Sequence, residues 1–302
     1  MHLSVIVTIV DGGATLERCL SALATQEGSP SFDAIVPWDD SVAGIPALAR
    51  QFPRYQFLGM GRVGTERPSS SAAGQHELYD RRRAAGLRAA GGALVAILED
   101  RGVPRPDWAR TMIALHERLP HAVIGGAIEN GRRSVRHWAA YICDFSRYQR
   151  PFEAGPRSYV SDVNVGYKRR AVDATASLWS ERYHETTVHW ALQASGETLY
   201  LSPELVVDQC RGPLKIGSLI GERFASGRLF AYTRARESRL STRLALGVLT
   251  AGLPFLLFGR HLCLQLGKGV SLDKFVQASP AIAVLLLAWS VGEAFGYFTG
   301  KP

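Results

Sequence analysis

The sequence predicts an α/β fold: a mostly parallel sheet flanked by helices, with hydrophobic helices added at the C-terminal end. Three observations carry this. Short β-branched runs alternate with helical apolar spacing over the first 210 residues, as expected for parallel strands joined by crossover helices. Several of those runs end in acids, which gathers carboxylates at one edge of the sheet. Beyond residue 243 lie two long uncharged stretches.

The elements follow in order. "LSVIVTIV" (3–10) is rich in β-branched residues and breaks at Asp11-Gly12-Gly13, a strand followed by a turn. In "ATLERCLSALATQ", Leu16, Cys19, Leu20 and Leu23 recur at helical spacing, so a helix packs back on the sheet. "FDAIVPWDDS" is a second strand ending in Asp39 and Asp40, "RYQFLG" a third, and 65–75 a flexible loop. A helix from about His76 to Ala90 leads through two glycines into "LVAILED", where five apolar residues deliver Glu99 and Asp100. One such acid pair is explained by a strand end meeting solvent. Acids at Asp11, Asp39, Asp40, Glu99 and Asp100 together point to a ligand edge.

A helix over 107–118 precedes a strand over 122–130. Trp138, Tyr141, Phe145 and Tyr148 recur every three or four residues, which reads as a core-facing helix before a binding box. "YVSDVNVGYKRRAV" is a strand entering a helix, with Asp162 and Asn164 on one strand face. "ERYHETTVHWALQASGETLYLSPELVV" is a helix, a glycine stop and a strand. His137 and His189 are expected to be packed or surface residues.

Composition narrows the class. The 302 residues are 46% hydrophobic and 21% charged, which excludes wholesale disorder. The net charge of +8 is uneven: from Arg211 to Arg243 there are seven Arg and one Lys against Glu222 and Glu237. A basic run beside apolar segments suits anionic lipid headgroups, and no zinc-finger or basic-aromatic pattern argues for nucleic acid. The four cysteines are scattered without a CxxC, as in a reducing compartment. The start, "MHLSVIVTIVDGG", lacks a basic n-region and reads as a strand. The expected organisation is a sheet domain over 1–210, a basic juxtamembrane segment over 211–243 and a membrane-associated region over 244–302. Its apolar segments are about 244–266 and 275–298, and the sheet domain lies on the cytoplasmic side.

The order of segments resembles the family 2 glycosyltransferases, which have a GT-A fold, over about residues 3–210. "SVIVTIVDGGATLERCLSALATQ" is similar to that family's opening strand, nucleotide-binding turn and first helix, and "AIVPWDDS" to its second strand with an acidic pair. "RRRAAGLRAAGGALVAILEDRGVPRPDW" is similar to its arginine helix, metal-binding D-x-D and Pro-x-x-Trp turn. "NVGYKRRAVD" resembles its acceptor-side strand, and "HETTVHWALQASGETLYLSPELVV" the helix bearing its catalytic acid.

The resemblance implies transfer of one sugar from a nucleotide-sugar donor, with inversion, to a lipid-linked or membrane-proximal acceptor. A Mg²⁺ or Mn²⁺ ion would bridge the departing diphosphate. It implies metal ligands at Asp100 and Glu99, donor contacts at Asp11, Asp40, Arg83 and Glu99, and a catalytic base at Glu185. Asn164 and His184 fall on the acceptor side. Three departures stand out: Arg101 replaces the last acid of D-x-D, Ala84 replaces an asparagine, and His184 replaces an acid before the base. They keep open a catalytically weak binding protein on the same fold. A nucleotidyltransferase would explain the acids but not the acceptor-side motif. "DGGATLE" lacks the spaced glycines of a dinucleotide site, and "IGERFASGRLFAY" lacks the Gln-x-x-Arg-Trp of processive synthases.

Overall fold

The computed structural model describes residues 2–28, 30–235 and 237–301. The chain forms two compact units. One comprises Met1–Thr65, His76–Gly131 and Tyr148–Gly212; the other comprises Glu66–Gln75, Arg132–Arg147 and Pro213–Pro302. In chain order the elements are β1 (Leu3–Thr8), α1 (Gly13–Ala24), β2 (Phe32–Trp38), α2 (Ile45–Gln51), β3 (Gln56–Gly59), α3 (Ala72–Ala89), β4 (Leu94–Glu99), β5 (Gly102–Pro104), α4 (Trp108–Arg118) and β6 (Val123–Asn130). They continue with α5 (Val135–Phe145), β7 (Gly155–Arg157), β8 (Asn164–Lys168), α6 (Arg169–Ala174), α7 (Ala176–Trp179), α8 (Glu185–Ala194), β9 (Leu199–Gln209), α9 (Ile216–Ala235), α10 (Leu240–Leu249), α11 (Leu253–Lys268) and α12 (Leu272–Thr299).

The first unit is built on a mixed sheet of order β3-β2-β1-β4-β8-β6-β9-β5, with β7 also on β9. The strands β1 to β4 run parallel, and β1 and β4 are buried along their length. That double-sided burial explains why they read as continuous apolar runs without alternation. Leu16, Cys19, Leu20 and Leu23 of α1 share one core with Leu3, Val5 and Val7 of β1 and with Trp108 and Met112 of α4. The register pairs Leu3 with Leu94 and Thr8 with Glu99, so the turn after β1 stands beside the acids that end β4. The next strand, β8, runs antiparallel to β4 with Leu98 opposite Asn164. Its beginning therefore meets the same edge as the ends of its neighbours.

Short elements escaped the sequence pattern. Both β5 and β7 have three residues, too few to show a period. The helix α2 starts at a left-handed Gly44 with Pro46 in its first turn, a start signal overlooked inside an apparent loop. The loop expected over 65–75 gives way to α3 at Ala72.

In the second unit α12 packs on α9, α5, α10 and α11. Glycines let the α9 and α12 backbones touch: a Cβ at Gly227 would lie 2.2 Å from the Trp289 carbonyl oxygen, and one at Gly292 would lie 2.0 Å from that of Phe224. Arg243 donates to the carbonyl oxygen of Tyr297 at 2.8 Å, closing the C-terminal turn of α12 where carbonyls lack helical partners. The basic run is partly spent inside this unit, since Arg223 is buried against Asp144. Two stretches, Leu240–Lys268 and Leu272–Thr299, are long and apolar enough to cross a membrane. Phe255 is 81% exposed and Leu249 70%.

Asn164 sits where β9 bulges against β6 between Gly126 and Ala127. Its side-chain amide donates to the carbonyl oxygens of Ala127 (3.0 Å) and Leu205 (3.1 Å), and its oxygen accepts from Trp108 Nε1 (2.8 Å). The amide supplies the bonds that the interrupted ladder lacks. Asn164→Ala should therefore lower the midpoint of urea unfolding, at a cost of about 3 kcal/mol from orphaned buried groups.

Candidate active site

The carboxyl edge of β1, β2 and β4 brings the expected acids together but gives them different tasks. Asp39 is buried and receives Arg82 Nε at 2.7 Å and the Ser41 amide at 3.0 Å. Arg82 reaches on to the carbonyl oxygen of Ile9 at 2.5 Å, so one guanidinium from α3 joins the ends of β1 and β2. Burial works against the Asp39 charge, yet the Ser41 and Arg82 contacts hold its carboxyl below the usual value. Asp40 is exposed, free to face a ligand.

Asp100 is fully buried. Its carboxylate accepts the backbone N–H groups of Asp11 (3.1 Å) and Gly12 (2.6 Å). Burial raises its pKa to about 6 despite those amides. Asp100, expected as a metal ligand, turns its oxygens toward a neighbouring turn and is buried in this structure. Asn164, expected on the acceptor side, commits both of its N–H groups to backbone carbonyls and is fully buried.

Arg101 takes the outward place. Its Nη2 pairs with Asp11 at 2.6 Å, and the other oxygen of Asp11 accepts the Gly212 amide at 3.1 Å. Burial opposes the Asp11 charge, but the Arg101 hydrogen bond and charge outweigh it and lower the pKa. Tyr79 lies in the same field, its phenol raised to about 12 chiefly by burial.

A second cluster centres on Arg83. It pairs with Asp162 (2.9 Å), Glu99 (3.1 Å) and Asp80 (3.3 Å). Asp162 in turn hydrogen-bonds Glu185, the first residue of α8. Burial works against the charges of several of these acids. Glu99 and Asp80 are each raised to about 7, burial being the largest cause in both. Glu185 is pushed well above the carboxylate range, first by burial and then by the Asp162 charge. Its side chain is still 29% exposed, so a substrate can reach it.

Behind Glu185, His189 Nδ1 stands 3.7 Å away while its Nε2 meets the Tyr167 hydroxyl at 2.7 Å. His189 is buried as expected, and burial lowers its pKa to about 4, so it stays neutral. His184 precedes the helix and faces Thr187 at 3.2 Å, its pKa lowered by burial. Arg82, Asp80 and Asp162 were not singled out for these roles in the sequence. The alternation that put Asp162 on one strand face with Asn164 was the available signal.

The family model described as "Glycosyl transferase family 2" matches residues 4–175. It covers Asp11, Asp40, Arg83, Glu99, Asp100 and Asn164 and stops before His184 and Glu185. No curated protein matches the sequence. Among solved structures, the fold is similar to the mannosyltransferase PcManGT from Pyrobaculum calidifontis in complex with GDP-Man and Mn²⁺, at TM-score 0.58 and 12% identity over 96% of this chain and 86% of that one. It is also similar to S. aureus TarS 1-349 in complex with UDP-GlcNAc, at TM-score 0.52 and 14% identity over 99% and 90%.

Breaking the buried Asp39–Arg82 pair tests the scaffold. Arg82→Met should destabilise by about 3–5 kcal/mol in chemical unfolding. The double variant Asp39→Leu/Arg82→Met should recover part of that loss, because no buried charge is then left alone.

Proposed function

This chain belongs to glycosyl transferase family 2, and from that premise we propose that it moves one sugar from a nucleotide-sugar donor to a lipid-linked or membrane-proximal acceptor, with inversion. The observation that carries the reading is the Arg83–Asp162–Glu185 chain at the sheet edge. It sets an accessible carboxylate of raised pKa beside a fixed cation. Glu185 takes the proton of the acceptor hydroxyl as that oxygen bonds the anomeric carbon. The bond to the diphosphate oxygen breaks, and the nucleoside diphosphate leaves with the electron pair. Asp40 is placed to accept hydrogen bonds from the nucleoside. Arg83, which cannot lose its proton, balances charge where it builds.

A Mg²⁺ or Mn²⁺ ion, as the resemblance implied, does not fit the residues present. Asp100 spends its oxygens on backbone amides, Glu99 is held by Arg83, and a guanidinium fills the remaining position. Among the described residues no three carboxylate, histidine or cysteine side chains are grouped to hold a metal ion. No step is therefore routed through a metal.

The membrane reading is supported by the two apolar stretches, their exposed faces and the arginine-rich segment before them. Expressed full-length, the chain should sediment with membranes and resist a carbonate wash. Release into the soluble fraction would sink the membrane part of the proposal.

Glu185→Gln should lower kcat by about 10²–10⁴-fold with little change in donor KM, measured over a panel of sugar nucleotides. For the wild type, kcat/KM should rise with pH, with a midpoint above the ordinary carboxylate range, because a general base works only when deprotonated. Asp162→Asn removes the charge that helps raise Glu185, so the midpoint should move to lower pH. Nucleotide-sugar binding without turnover for any acceptor would favour an inactive binding protein instead.

A further inference from the structure

Arg101 is held in place but incompletely used. It is 17% exposed and makes one ion pair, through Nη2 to Asp11. Among the described residues its buried Nε has no hydrogen-bond partner, and the same holds for the Nε of Arg83. A buried guanidinium N–H without a partner is costly and calls for an explanation, an absent ion or ligand being one. Both cations interact with Glu99 and so flank the end of β4, Arg83 with its terminal nitrogens already on acids and Arg101 with only Nη2 paired. Below them Asp100 is turned inward, which leaves the edge without the pair of carboxylates a divalent ion would use.

We propose that Arg101, together with Arg83, binds the diphosphate of the donor in place of a divalent cation, so that donor binding and sugar transfer proceed without metal. The proposal rests on the nucleotide-sugar reading above. A guanidinium presents a planar fork of N–H groups that matches two phosphate oxygens, and it keeps its charge at every working pH. Asp11 orients that fork by holding Nη2, and the side chain keeps part of its surface open beside it. A metal ion at the same place would be repelled by the arginine and would lack hard oxygen ligands. The departing diphosphate thus meets two fixed positive charges, and the acceptor proton still goes to Glu185.

The test uses the full-length protein and the diphosphates of uridine, guanosine, adenosine, cytidine and thymidine. Each is titrated calorimetrically in EDTA and in MnCl₂, with donor turnover followed in parallel. For the nucleotide that binds, affinity and turnover should agree within about twofold between the two conditions. Arg101→Ala should weaken binding about tenfold or more in both, and Arg101→Lys should retain part of the affinity. Arg101→Asp restores an acid at this position; it should bind poorly in EDTA and recover about tenfold in MnCl₂. Thermal unfolding of each variant separates lost binding from lost fold.

Tightening of wild-type binding by about tenfold or more in MnCl₂ overturns this proposal and leaves the glycosyltransferase reading intact. So does wild-type affinity in a folded Arg101→Ala. Failure of every nucleoside diphosphate to bind in either condition overturns both.

Discussion

At the end of β4 a buried carboxylate holds the backbone of another strand's turn. Asp100 accepts the amides of Asp11 and Gly12, just where the chain leaves β1 and prepares to enter α1. Gly12 has φ +69° and ψ −162°, a conformation essentially confined to glycine. With those amides satisfied, the turn presents the Asp11 side chain outward to Arg101 and Gly212. Remove the carboxylate and two inward N–H groups lose their acceptor, α1 loses its start, and Arg101 loses its anchor. The outer edge is organised on this inner contact.

The second cluster follows a different logic. Arg83 faces three carboxylates at once, and a fourth hangs from Asp162. Burial is the first reason that Glu99, Asp80 and Glu185 all titrate high, and Arg83 offsets it only in part. A site in this condition is already arranged before substrate arrives. Its dipoles and charges need no large reorganisation as charge moves during transfer. The neutral His189 and the Tyr167 hydroxyl pack behind Glu185 without adding charge.

Much of this edge was legible in the sequence, because strand runs ending in acids are a one-dimensional trace of a three-dimensional edge. β1, α1, β2, β4, α4, β6, β8, α8 and β9 are all visible as periodicity bounded by breakers. Orientation at a strand end was not legible. Adjacent residues there point to opposite sides, so "Glu-Asp-Arg" gives no hint that Asp100 turns inward while Arg101 turns out. The part Asn164 plays was not legible either, since an amide that mends a bulge in β9 cannot be recognised before the bulge is known. Arg82 was hidden for a third reason: among three consecutive arginines, burial alone tells which one ties two strands together.

The reversed strand β8 has a consequence for how such a protein diversifies. In a wholly parallel sheet, every segment that meets the ligand edge follows a strand. Here one of them precedes a strand: the segment leading into β8 carries Asp162 to the edge, opposite the end of β4. Variation in residues 158–163 acts on the edge through Asp162, which touches Arg83 on one side and Glu185 on the other. Loops that leave strands and a loop that enters one thus meet at Arg83, and a change in either is felt by the other through that one guanidinium.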